Sequence, residues 1–69
     1  MERDLIQELE EEGSSLNSKY IKLNAFVYTP EFGKLSPQHQ ALLVEQKNVM
    51  AEYLAILTHR VNLLKEEKK

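Results

Sequence analysis

From Gln38 to Glu66 the chain carries no glycine and no proline, and its apolar residues recur at helical spacing throughout. Such a stretch reads as one rod, about 45 Å of α-helix at 1.5 Å per residue. Two adjacent apolar rows run along it: Leu42, Val49, Ile56, Leu63 and Leu43, Met50, Leu57, Leu64, with Leu54 and Val61 widening the band. Residues seven apart return to one angular position on a helix, so the band is continuous along the rod. One short partner helix cannot cover so wide a band. Monomers seldom leave large apolar patches in water, and the spacing therefore predicts that copies of the chain associate.

The remaining residues supply a single partner. Leu9, Leu16 and Leu23 recur every seven positions beside Ile6, Gly13, Tyr20 and Val27, so residues 3–28 read as a second amphipathic helix. Gly13-Ser14-Ser15 is its weak point: the glycine costs helix propensity, and either serine can cap a new segment. A kink is expected there, dividing an acidic helix over residues 1–12 from a second helical segment over 16–28. Thr29-Pro30 ends that segment, because a residue before proline is pushed out of the α region. Thr29 can also cap a single turn over Pro30-Glu31-Phe32, closed by Gly33. Ser36-Pro37 opens the long helix, expected over 37–66, with a capping serine and proline at the first helical position. Phe32 and Leu35 lie between these turns and are expected to plug the end of the hairpin. The expected fold is all-α, a single helical domain over residues 1–69. A kinked N-terminal helix and a long C-terminal helix form an antiparallel hairpin that assembles into a homo-oligomer.

Size points the same way. A chain of 69 residues buries only about 60% of the surface its unfolded form exposes, and chains so short lean on disulfides, metals or partner subunits. There is no cysteine, and His39 and His59 are 20 positions apart with no acidic ligand cluster around them. No metal or other cofactor is expected, which leaves oligomerisation. No run of about 18 apolar residues exists, and the acidic start MERDLIQELEEEG does not suit a signal peptide. A soluble intracellular protein with no membrane partner is expected.

The net charge of −2 is unevenly spread: Glu2, Asp4, Glu8, Glu10, Glu11 and Glu12 crowd the first twelve residues. Between Gly13 and Lys65 six cations, Lys19, Lys22, Lys34, Lys47, Arg60 and Lys65, face three acids. That body can meet a small anion. It lacks the dense cationic stripe that DNA or duplex RNA requires.

No Ser/His/Asp or Cys/His nucleophile set can be assembled and no glycine-rich phosphate loop exists, so the chain is expected to bind rather than catalyse. A third heptad row, His39, Gln46, Tyr53 and Arg60, flanks the apolar band. Its simpler reading is the polar rim of an interface. Its functional reading is a groove for a nucleotide-like anion, with arginine for phosphate and tyrosine for stacking. Lys19, Tyr20 and Lys22 form a comparable group on the first helix, ordinary surface lysines beside a core-edge tyrosine if taken alone. If the helices pair antiparallel, the stretch near Lys19 comes alongside the middle of the long helix, where the two groups could share one site.

The segments Leu16-x-x-Lys19-x-x-Lys22-Leu23-x-x-Phe26, Pro30-Glu31-Phe32-x-x-Leu35-Ser36 and Gln40-x-Leu42-Leu43-x-x-Gln46-x-x-x-Met50-x-x-Tyr53-x-x-Ile56-Leu57-x-x-Arg60-Val61 resemble a family of small bacteriophage proteins, the anti-CBASS cyclic-oligonucleotide sponges. The resemblance covers residues 16–61. It implies sequestration: infected bacteria make cyclic di- or trinucleotides that switch on a lethal effector, and the sponge holds the messenger in the cytoplasm of the infected host. It implies a compact helical hexamer with the cyclic dinucleotide between protomers and cyclic trinucleotides at separate sites. By position, Lys19 and Arg60 match the family's phosphate ligands best. Residues 1–15 contain no aromatic residue, whereas the family stacks an aromatic on the bases, and Asp4, Gln7 and Gly13 stand in that region. Either Tyr20, Tyr28 or Tyr53 substitutes, or ligand preference has shifted, or this member no longer binds dinucleotides. The expected ligand contacts are Lys19, Arg60, Tyr20, Lys22, Tyr53 and Tyr28. The rival is a helical protein–protein adaptor whose apolar band engages another protein's helix.

Overall fold

Asp4 starts the first helix: its backbone is extended and its carboxylate accepts the Ile6 N–H at 3.1 Å, satisfying one of the donors a helix start leaves open. In the computed structural model, which describes residues 4–67, the element order is α1 (Leu5–Phe26), α2 (Pro30–Gly33) and α3 (Pro37–Glu67). Residues 1–3 of the expected acidic segment and residues 68–69 of the basic tail lie outside the described residues.

The break expected at Gly13-Ser14-Ser15 does not occur; α1 runs through it as one helix. Packing explains why. Leu9, one turn before, is 5% exposed in a cluster with Leu57 and Val61, and Leu16, one turn after, packs on the same cluster. Gly13 lies between them on the same face, where a Cβ would stand 4.0 Å from Leu57 Cδ1. Burying one leucine is worth about 1.5–3 kcal/mol, whereas a helical glycine costs about 1. Two anchored leucines therefore outweigh the local preference to break.

The second expected boundary also moves slightly, from Tyr28 back to Phe26. Tyr28 N–H reaches Ala25 O at 3.2 Å and Thr29 N–H reaches Phe26 O at 3.0 Å, the tightened pattern that ends many helices. The Thr29 hydroxyl then serves both sides of the corner, donating to Phe26 O at 2.7 Å and accepting from Phe32 N–H at 3.4 Å. Pro30 occupies the first turn of α2, as its spacing from Thr29 predicts. Phe26 and Phe32 meet edge to face with centroids 6.1 Å apart, closing the end of the hairpin. Ser36 caps α3 by accepting His39 N–H at 3.1 Å. One turn later, Gln40 Nε2 donates to Leu35 O at 2.9 Å, tying the linker to the rod.

α1 packs along α3 in the antiparallel sense. The shielded positions of α3 are Gln40, Leu43, Lys47, Met50, Leu54, Leu57, Val61 and Leu64, in steps of three and four, and those of α1 include Ile6, Leu9, Gly13, Leu16, Tyr20, Leu23 and Val27. This is the spacing of a two-helix seam. Among the described residues only Leu9, Leu57 and Val61 are buried, all at the end away from the turn. Of the two apolar rows of α3, Leu43–Met50–Leu57–Leu64 faces α1. The other stands in water: Leu42 is 62%, Val49 56%, Ile56 55% and Leu63 56% exposed.

The hairpin measures 51 × 20 × 15 Å with a radius of gyration of 15.8 Å, against about 11 Å for a compact chain of this length. It exposes 5407 Å², where a compact monomer of this mass exposes about 4450 Å². No helix among the described residues is long and apolar enough to cross a membrane.

Candidate functional site

The edge of the hairpin that carries the His39, Gln46, Tyr53, Arg60 row is fixed by one contact. The Tyr53 hydroxyl donates to the Glu12 carboxylate across the two helices. The register itself is set by the seam, where Gly13 stands opposite Leu57, and the Tyr53–Glu12 contact reaches diagonally across it. Toward the open end, Arg60 comes level with Glu10 and lines one depression with Leu5, Leu63, Leu64 and Glu67. Toward the turn, Lys19 comes level with Ala51, near the middle of α3. The opposite edge is pinned by Lys65 and Glu10, whose Nζ and Oε2 are 3.3 Å apart. That exposed pair reaches across the seam diagonally, in the opposite sense to Tyr53–Glu12, and adds no more than about 1 kcal/mol.

Tyr53, 40% exposed, titrates above its ordinary value of 10.0. The hydrogen bond to Glu12 is the largest cause, followed by partial burial and the Glu12 charge, with the Arg60 charge opposing them. A carboxylate and a guanidinium thus act on one phenol from its two sides. Sequence reasoning placed Tyr53 and Arg60 in one row but left Glu12 in a solvated acidic run; only the register between helices reveals that it turns to the phenol.

The six expected contact residues do not converge within one chain. Tyr53 and Arg60 are neighbours on α3, both exposed. Lys19 is exposed on the same edge, its level at Ala51 lying about 14 Å along the axis from that of Arg60, at 1.5 Å per residue. Lys22 is exposed one turn beyond Lys19. Tyr20 is half-buried on the seam side of α1, where its ring is committed to packing. Tyr28 sits in the corner after α1 and is 78% exposed. The stretch near Lys19 thus comes alongside the middle of α3, and Lys19, Tyr53 and Arg60 stand along one edge of the protomer.

A groove of about 420 Å³ opens on the other edge, beside Gly13. Glu10, Asn17, Thr58 and Asn62 give it polar walls, and none of the six expected contacts lines it. With a carboxylate and no cation among its lining residues, it does not suit a phosphate. The two candidate cations lie on the Tyr53 edge, and that edge is the better candidate for an anion.

The comparisons bear on the whole of this arrangement. No curated protein and no solved structure matches the chain. A family model described as Sequestin matches residues 3–63, nearly all of both long helices and the corner between them. The chain belongs to the Sequestin family.

Proposed function

We propose that this protein is a phage anti-defence sponge: it binds cyclic di- or trinucleotide messengers in the cytoplasm of the infected bacterial host and keeps the CBASS effector from being activated. The observation that carries the reading is membership of a family whose name denotes sequestration, over residues 3–63, together with the resemblance of residues 16–61 to the cyclic-oligonucleotide sponges. Lys19 and Arg60 meet phosphate, and a tyrosine, best placed at Tyr53, stacks on a base. Lys22, Tyr20 and Tyr28 are secondary contacts.

Sequestration needs affinity and copy number, with no turnover and no cofactor, so the protein acts without being an enzyme. A messenger held at a dissociation constant near 1 μM corresponds to about 8.2 kcal/mol of binding free energy. A cyclic dinucleotide is nearly twofold symmetric and carries two phosphodiester charges. A homo-oligomer with twofold axes supplies each cation twice, once per phosphate, which a single hairpin with one Lys19 and one Arg60 does not. The reading therefore includes assembly, with a hexamer as the form the resemblance implies.

Calorimetric titration with a panel of cyclic di- and trinucleotides tests it. Heat and saturation with at least one of them are expected. The exposed row on α3 favours one rival, an adaptor whose apolar face takes another protein's helix. Absence of heat with every nucleotide in the panel would leave that adaptor as the surviving reading.

A further inference from the structure

The fold gives no reason for Gly13. A glycine inside a helix costs about 1 kcal/mol against alanine. Its φ is not positive, and an added Cβ would meet nothing nearer than Leu57 Cδ1 at 4.0 Å. Neither the backbone conformation nor a close approach of the two helices therefore requires it. Its missing side chain matters on the edge away from Tyr53. There Gly13 lines the groove of about 420 Å³, and atoms added beyond Cβ would stand over the groove floor beside Leu57.

That floor is apolar, formed by Leu9, Leu54, Leu57 and Val61. The polar walls are spread along it. With Gly13 opposite Leu57, Asn62 and Glu10 stand toward the open end, Thr58 beside Gly13 and Asn17 toward the turn. The span from Asn62 to Asn17 is about 13 Å along the axis at 1.5 Å per residue. All four wall residues are exposed, so each can exchange water for a ligand. A carboxylate only accepts, a primary amide accepts and donates, and a hydroxyl does either, so acceptors outnumber donors at the Glu10 end. Charge narrows the class further. The Glu10 carboxylate already has a counter-ion in Lys65, Nζ to Oε2 3.3 Å. An anion is therefore repelled there and a second cation gains little.

We infer that this groove is a second ligand site, for an uncharged nitrogen heterocycle of nucleoside size that bears an exocyclic amine. The flat face of the ring lies on the leucine floor in the space that Gly13 leaves. The amine donates to the Glu10 carboxylate and the Asn62 carbonyl, the Asn62 amide donates to a ring nitrogen, and Asn17 takes the hydroxyls of a sugar. Asparagine pairs with the amine-bearing edge of adenine in this two-point way. The volume falls within the roughly 300–1000 Å³ of small-molecule sites. The site is on the opposite edge from Lys19 and Arg60 and needs neither the sponge reading nor assembly.

Adenosine is the probe, and uridine, which has no exocyclic amine, is its control. In nitrogen–proton correlation spectra of the isotope-labelled full chain, millimolar adenosine should shift the Gly13 backbone signal and the side-chain amide signals of Asn17 and Asn62 saturably. Uridine should not. Asn62→Leu keeps the size of the side chain and should weaken adenosine by about fivefold or more. Gly13→Leu puts a side chain over the floor and should abolish binding. Circular dichroism checks that both variants stay helical, and Asn62→Leu decides alone if Gly13→Leu does not. Adenosine affinity should change little between low and high salt, because no net charge is neutralised, whereas cyclic-nucleotide binding on the Lys19 and Arg60 edge should weaken. Absence of the shifts, equal shifts with uridine, shifts centred on Tyr53 and Arg60, or undiminished binding in helical variants would each overturn the inference. Heat with a cyclic nucleotide but no adenosine shifts would keep the sponge and remove this site, and the converse result would do the reverse.

Discussion

Tyr53 is the residue where structure and proposed function press on each other most directly. Its hydroxyl is committed to Glu12 in the free protein, and Glu12 sets a negative charge on the edge where a phosphate is to bind. Replacing that carboxylate by an amide in Glu12→Gln removes the repulsion and keeps an acceptor for the phenol. Nucleotide affinity should rise about 3- to 10-fold, the size of one screened charge pair near a surface. Titration calorimetry at two salt concentrations checks it, the gain shrinking at the higher one. The same contact has an alkaline signature. The phenol titrates above 10.0 in the folded chain, so the stability it contributes is fully present below 10.0 and is lost as the pH rises through the raised value. The tyrosine absorbance should show a component titrating above 10.0 that Tyr53→Phe abolishes and Glu12→Gln lowers. The denaturant midpoint of Tyr53→Phe should fall less between pH 9 and 11 than that of the wild type. Lys19→Ala and Arg60→Ala bear on the ligand instead. Each should weaken binding about 10- to 100-fold, because a charge-assisted contact is lost at two symmetric positions, while the assembled mass stays unchanged. Loss of assembly in either variant would make that side chain structural.

At the scale of elements, Gly13 is the informative position. Helix propensity alone divides α1 there, but the leucines on each side are held against Leu57 and the helix continues. The glycine is not needed for its conformation, since no described residue has a positive φ. A methyl group at that site would make ordinary van der Waals contact, 4.0 Å from Leu57 Cδ1. Gly13→Ala should therefore stabilise the hairpin by about 1 kcal/mol, raising the thermal midpoint by about 4–8 °C. A fall in the midpoint, measured by circular dichroism, would mean that α1 needs to bend at Gly13. Leu57→Ala, by contrast, empties the best-buried position, 2% exposed, and should cost about 2–5 kcal/mol. The corner was legible in advance because its signals are local: Thr29 before Pro30 and Ser36 before Pro37 fix their own capping bonds. Continuity through Gly13-Ser14-Ser15 was not, because it depends on contacts with α3. The site divides the same way. Periodicity within one helix was enough to group Tyr53 with Arg60, whereas the Glu12 contact and the distance from Lys19 to Arg60 follow from a register that no single segment carries.

For the whole molecule, the balance between buried and exposed apolar surface decides what state the protein occupies. Three buried side chains among the described residues are a small core for a chain whose ordering costs on the order of 1.5 kcal/mol per residue. If the α3 row is covered by a second copy, part of the folding free energy is association free energy, and stability depends on concentration. For a two-state dimer of this size, each tenfold rise in protein should add about 1.4 kcal/mol and lift the thermal midpoint by about 5 °C. Ile56→Glu places a charge in the middle of the covered row; because Ile56 is 55% exposed in the single hairpin, its effect there is small. The variant should sediment at the mass of one chain, keep its helical spectrum at high concentration, and lose the concentration dependence. A wild-type midpoint that stays constant over a hundredfold range of concentration, at a sedimenting mass of 8.0 kDa, would show that the hairpin stands alone. In that state a ligand meets one Lys19 and one Arg60, without the doubled set that a twofold axis supplies.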